Sequence, residues 1–155
     1  MKPITFSCEE TLSIAPDVIA QHILDVSKWP DFRGYGVLPG IKVAEFEVKA
    51  PGIVGSRIRV INTDGSTHVE EIVHWQPDQR IEMHLKEFST PLSRLATGIE
   101  ETWDLKRIDN ATRVTRSFKM HPKSVLTRPV LWLISILLKK AIARHLREMR
   151  RENTP

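Results

Sequence analysis

GIEETWDL, residues Gly98 to Leu105, alternates its side chains as a half-buried β-strand does, with successive positions on opposite faces. Ile99, Trp103 and Leu105 form an apolar row, and Gly98, Glu100, Thr102 and Asp104 form a wet one. Glu101 falls in the apolar row. A carboxylate there needs a counter-charge or water, because an unpaired one in apolar surroundings is costly or takes up a proton.

The same alternation repeats on either side of this strand. Short runs at roughly 41–49, 56–63, 67–76, 79–88, 98–108 and 112–120 are separated by Pro51-Gly52 with Gly55, Asp64-Gly65, Pro77-Asp78, Thr90-Pro91 and Asp109-Asn110. These residues tolerate or pre-set turn geometry, so the region reads as an antiparallel meander. Upstream, Ile4 to Ile14 is a seventh strand with Ile4, Phe6, Cys8, Leu12 and Ile14 on one side. Ala15-Pro16-Asp17 then opens a short helix: proline suits the first helical position and Asp17 the positive end of the helix dipole. Ile19, Ile23 and Val26 share one face of that helix, and SKWPDFRGYG, residues 27–36, reads as a second short helical turn running into a loop. Downstream, about Thr127 to Asn153 is one long helix whose second half sets Leu138, Ile142, Leu146 and Met149 opposite Lys140, Arg144, Arg147 and Arg151. The expected class is α+β, with strands and helices segregated along the chain.

A length of 155 residues with 41% hydrophobic and 27% charged residues suits one domain over 1–155 that buries its own core. One cysteine, Cys8, excludes an intrachain disulfide and a multi-cysteine metal site; it reads as a small buried hydrophobe. MKPITFSCEE has no apolar signal-peptide core, and the longest apolar run, Val130 to Leu138, is too short to span a bilayer, so a cytoplasmic chain is expected. The net charge of +4 owes much to Lys139, Lys140, Arg144, Arg147, Arg150 and Arg151, but no aromatic residues interleave with these arginines, and nucleic acid is not expected. Val130 to Leu138 wraps apolar side chains nearly round the helix, so that half must touch something on more than one side. Peripheral membrane contact and a homodimer are equal competitors for it.

Several segments resemble a known family. They are Ala15-Pro16, Ile23-Leu24-Asp25, Trp29-Pro30-Asp31-Phe32, Gly55-Ser56-Arg57, Val73-His74-Trp75-Gln76-Pro77, and Trp103 with Thr112-Arg113-Val114-Thr115. They are similar to the START and Bet v 1-like (SRPBCC) superfamily, most of all to its polyketide cyclase/dehydrase and lipid-transport family. The resemblance implies a helix-grip fold: a seven-stranded curved antiparallel sheet wrapped around a long C-terminal helix, two short helices after the first strand, and a cavity between sheet and helix. It also implies a binder, carrier or modifier of small apolar molecules, and fold alone does not choose among these.

With that cavity in view, Val69, Glu71, Val73 and Trp75 repeat the pattern of Ile99, Glu101, Trp103 and Leu105, one glutamate in each apolar row. Val114, Arg116, Phe118 and Met120 supply a cation to the last strand, and Ile81, Met83 and Leu85 line the fifth, with Glu87 near its end on the same face. Across the Asp109-Asn110 hairpin Glu101 faces either Arg116 or Phe118, so glutamate and arginine are direct or diagonal neighbours in either register. Glu71, Glu101 and Arg116 are expected to orient the polar end of a small hydrophobic or amphipathic ligand, with Met83, Leu85, Trp103, Phe118, Leu138 and Ile142 lining its apolar part. The alternatives are an aromatase/cyclase- or dehydrase-like enzyme using the glutamates as acid and base, and a peripheral membrane carrier of lipid or quinone. Trp29, Phe32 and Tyr35, with Gly34 and Gly36 as hinges, form either a lid over the mouth or a plug in the core. His68, Glu70 and His74 are expected on the outer face of their strand and His84 on that of the next, where nothing would seal a metal, so neither metal nor cofactor is expected.

Overall fold

A computed structural model of the chain describes residues Met1–Thr154; Pro155, the last residue of the expected 1–155 domain, lies outside the described residues. The alternating runs form strands β1 (Ile4–Leu12), β2 (Ile41–Val48), β3 (Arg57–Asn62), β4 (Thr67–Gln76), β5 (Arg80–Lys86), β6 (Ala96–Ile108) and β7 (Ala111–Pro122). They make one curved antiparallel sheet in the order β1-β7-β6-β5-β4-β3-β2, so β2 to β7 are a meander and β1 closes on its far end. Helix α1 (Pro16–Leu24) starts with proline in its first turn, and α2 (Arg128–Glu152) is the long C-terminal helix. This is the helix-grip architecture.

The second short helix is a 3-10 turn, Val26–Asp31, and its tightness has a local cause. Asp25 caps it by accepting the Ser27 N–H at 3.2 Å, and Pro30 inside it has no N–H with which to continue a regular helix. From Phe32 the chain doubles back: Ile41 N–H donates to the Phe32 carbonyl at 2.9 Å, and Tyr35 and Leu38 exchange two backbone hydrogen bonds. At Gly34 φ is +71°, and a Cβ would collide with the Leu38 carbonyl and the Pro39 backbone. Gly34 is therefore a packing wedge, not the free hinge that the sequence suggested.

Ile58, Val60, Ile72, Ile81, Met83, Val114 and Met120 fill the concave face of the sheet, and Leu131, Ile142 and Leu146 meet them from α2. Each such side chain contributes about 1.5–3 kcal/mol when removed from water. The helix lies nearest β1 and β7 at one edge of the sheet. Over the middle strands, the remaining cover comes from the 3-10 turn, the 32–41 hairpin and the loop before β6.

The strand β4 differs from the expected one. A register shift between Ile72 and His74, opposite Met83 and Glu82, marks a β-bulge that reverses the in–out parity within the strand. Trp75 pairs with Ile81 as expected, but before the bulge Glu70 pairs with Leu85 and Ile72 with Met83. Glu70 and His68 thus join the concave side, and Glu71 turns outward to Lys86 and Arg57. The inward placement of Glu71 and the outward placement of His68 and Glu70 are corrected accordingly. Glu87 lies beyond the end of β5, exposed and paired with Arg57.

Gly34 and Gly65 separate steric crowding from backbone strain, since Gly65 has φ +87° with nothing within 4 Å of a Cβ. Gly65→Ala is expected to cost about 1 kcal/mol of stability, and Gly34→Ala at least about 2–3 kcal/mol, in urea unfolding. Equal losses would show that the 34–39 contact is not confining.

Candidate functional site

Between the sheet and α2 lies a partly open cavity of about 630 Å³. Its inner end is built around β6 and β7. The register pairs Glu101 with Phe118 and Trp103 with Arg116, so Glu101 and Arg116 are diagonal neighbours on the concave face. They meet directly: Arg116 donates from Nε to Glu101 Oε2 at 2.8 Å and from Nη2 to the same oxygen. Both side chains are under a tenth exposed, yet both border the cavity. The guanidinium carbon lies over the Trp103 ring, 4.1 Å from its centroid, and Phe118 carries a stacked Phe6 at 4.9 Å.

The third donor of the guanidinium, Nη1, reaches His145 Nδ1 at 3.0 Å. An arginine cannot accept a hydrogen bond, so Nδ1 is the acceptor and the imidazole proton sits on Nε2. Burial first, and then the neighbouring guanidinium, push the His145 pKa down to about 3. Burial pushes the Glu101 carboxyl up and nearby Glu70 adds to that, against the opposing pull of Arg116. The Trp103 indole N–H also lowers it slightly, but without reaching hydrogen-bond geometry: Trp103 Nε1 is the one buried side-chain nitrogen or oxygen without a partner among the described residues. On the β4 wall, His68 Nε2 is 2.9 Å from Glu70 Oε2 and its Nδ1 is 3.4 Å from Asn62 Nδ2.

Of the residues expected at the site, Glu101, Arg116, Met83, Leu85, Trp103, Phe118, Leu138 and Ile142 border the cavity. Glu71 does not; Lys86 holds its carboxyl below the usual range on the outer face. Trp29 and Phe32 border the cavity, with the Trp29 N–H donating to the Ile23 carbonyl at 2.9 Å and Phe32 set edge-on to His145. Tyr35 lies outside the lining, between Lys140 and Arg144, each 5.5 Å from its ring centroid. Arg144 also donates to the Gly34 carbonyl, and Arg33 pairs with Glu148, so α2 holds the hairpin at two points. Sequence reasoning missed His145. Its signal was there in the helical spacing 138, 142, 145, 149, which sets it on the same face as the lining residues Leu138 and Ile142.

The apolar start of α2 divides three ways. Leu131 and Ser135 are buried, Ile134, Leu137 and Leu138 border the cavity, and Val130, Trp132, Leu133 and Ile136 are exposed. No helix among the described residues is long and apolar enough to cross a membrane.

A family model described as polyketide cyclase / dehydrase and lipid transport matches residues 3–153. The chain belongs to that family. The fold is shared with a START superfamily protein from Mycobacterium smegmatis (TM-score 0.73, 12% identity, 97% of this chain and 99% of that one). It is likewise shared with ginseng major latex-like protein 151 from Panax ginseng (0.70, 15%, all of both chains) and with Ara h 8.0201 (0.62, 17%, 94% and 99%). No curated protein matches the sequence significantly. At such identities the likeness establishes the scaffold, and the family's breadth leaves the cavity's own chemistry to decide the use.

Two measurements check the electrostatics. Arg116→Met strands a buried carboxylate and is expected to cost about 3–5 kcal/mol, whereas Glu101→Leu with Arg116→Met recovers most of that loss; a double variant no better than the single would disprove a coupled pair. His145 binds its proton far less readily folded than unfolded, so the unfolded state holds more protons between pH about 3 and the ordinary imidazole value of 6.5. Its share of stability is complete above that window and falls as pH drops through it, by up to about 1.4 kcal/mol per pH unit. His145→Asn should flatten the fall in urea midpoint between pH 6.5 and 4 relative to the unchanged protein.

Proposed function

We propose that the protein binds one small hydrophobic or amphipathic molecule in the cavity between sheet and C-terminal helix. The observation that carries this reading is a cavity of about 630 Å³, within the range of small-molecule sites, whose apolar walls end in a few convergent polar groups at one end. Binding is favoured over cyclase- or dehydrase-like turnover because Glu101, the natural candidate for acid or base, already accepts two hydrogen bonds from Arg116. Native mass spectrometry of freshly purified protein should show an added mass. The neutral dye N-phenyl-1-naphthylamine should brighten on binding, and Leu138→Trp, which fills the cavity from α2, should weaken it at least about tenfold. A dye signal that Leu138→Trp leaves unchanged would place the site elsewhere, and no signal with protein at its bare mass would remove the reading.

A carrier role at a membrane surface is favoured by one further feature. Val125, Leu126, Val130, Trp132 and Leu133 are all roughly half exposed or more around the start of α2. Val37 at the hairpin tip is 90% exposed and, with Leu137, borders the cavity. Lys123, Arg128, Lys139 and Lys140 accompany this band, which matches an anionic lipid surface. The expected result is co-flotation with phosphatidylglycerol vesicles, weaker with phosphatidylcholine alone and abolished by Leu126→Glu with Leu133→Glu. A dimer in light scattering that those changes dissolve, without flotation, would assign the band to a second copy.

A further inference from the structure

The polar end of the cavity has an imbalance that bears on the chemistry of its occupant. Arg116 is the cation there, and its guanidinium is committed to Glu101 and His145. His145 accepts through Nδ1, so its Nε2 carries the proton; Nε2 has no partner among the described residues and is not sealed from solvent. The indole N–H of Trp103, which lines the same cavity, lies toward the Glu101 carboxylate short of hydrogen-bond geometry and is closed to any occupant. One neutral donor, the His145 Nε2–H, is thus unspent. An unmade hydrogen bond at a buried donor is costly, so the occupant that relieves it is one that accepts.

Resting on the ligand-binding reading above, we propose that His145 selects a ligand whose buried end carries an uncharged hydrogen-bond acceptor, a ketone, ester or similar oxygen. An acid is disfavoured. Its carboxylate would meet Glu101 and Glu70, the two buried carboxylates of this cavity, while the one cation at that end is already paired. A plain hydrocarbon fits the walls and leaves the His145 donor unpaired. A site with such a donor discriminates by the hydrogen bond that the wrong ligand fails to make.

A matched tricyclic series tests this by displacement of N-phenyl-1-naphthylamine: fluorene, 9-fluorenone and fluorene-9-carboxylate. Fluorenone is expected to bind about tenfold tighter than fluorene, as one neutral hydrogen bond allows, and tighter than the carboxylate. His145→Phe should erase the preference for fluorenone over fluorene, read as the ratio of the two affinities. A measurement on the unchanged protein needs no variant to fold: the carbonyl stretch of bound fluorenone should lie below its value in hexane. A carboxylate that binds as tightly as the ketone, a carbonyl stretch at its hexane value, or no displacement by any of the three would overturn the proposal with the binding reading intact. Loss of the dye signal itself would instead remove the binding reading.

Discussion

Glu101 and Arg116 join the two longest strands of the sheet at the point where its concave face must also leave room for a cavity. A buried ion pair is poor evidence of stability by itself, because desolvating two charges offsets much of their attraction. Its effect here is on placement. Charged groups in an interior cannot be approached on every side by hydrocarbon, so the space beside them stays open to something polar. The guanidinium's place over the Trp103 ring and its contact with His145 tie β6, β7 and α2 to one set of atoms. The inner end of the cavity is therefore fixed by the same contacts that hold the helix to the sheet.

Much of this was legible in the sequence, and the reasons are particular. The meander, the closing first strand and the long helix follow from periods of two and 3.6 broken by turn residues, signals that survive without tertiary information. Glu101 and Arg116 could be placed on one face because β6 and β7 keep strict alternation across their shared turn. Glu71 could not, because a bulge is a property of how two strands pair: nothing in THVEEIVHWQ announces that one residue will be skipped between Ile72 and His74. Reading parity backward from Trp75 carried the error to every residue before the skip and hid Glu70 inside it. Gly34 was misread for a similar reason, since the sequence offers a flexible residue and only the fold shows the carbonyl pressed against it.

The family and its structural neighbours fix the scaffold and leave the occupant open, which is how a fold of this kind is used. The walls of the cavity are generic: Met83, Leu85, Leu138 and Ile142 would accept many apolar shapes. The discriminating atoms are few and lie at the inner end. Substitutions among the wall residues would change which shapes fit, whereas changes at Glu70, Glu101, Arg116 or His145 would change which chemistry is tolerated.

The position of β1 has a consequence for how the molecule comes into being. Within the sheet its one partner is β7, from Ile4 opposite Met120 to Leu12 opposite Thr112, and α2 covers it through Cys8 to the Lys139 carbonyl and Glu10 to Arg150. Of the seven strands β1 comes first in sequence and yet has no sheet neighbour until about a hundred residues later, and its covering helix follows all of them. Loop closure over that separation is slow compared with local pairing, and β2 to β7 can zip up by hairpins in the meantime. Docking of β1 onto β7 and α2 is then the contact with the longest loop to close, and the edge of the sheet nearest the helix is incomplete without it.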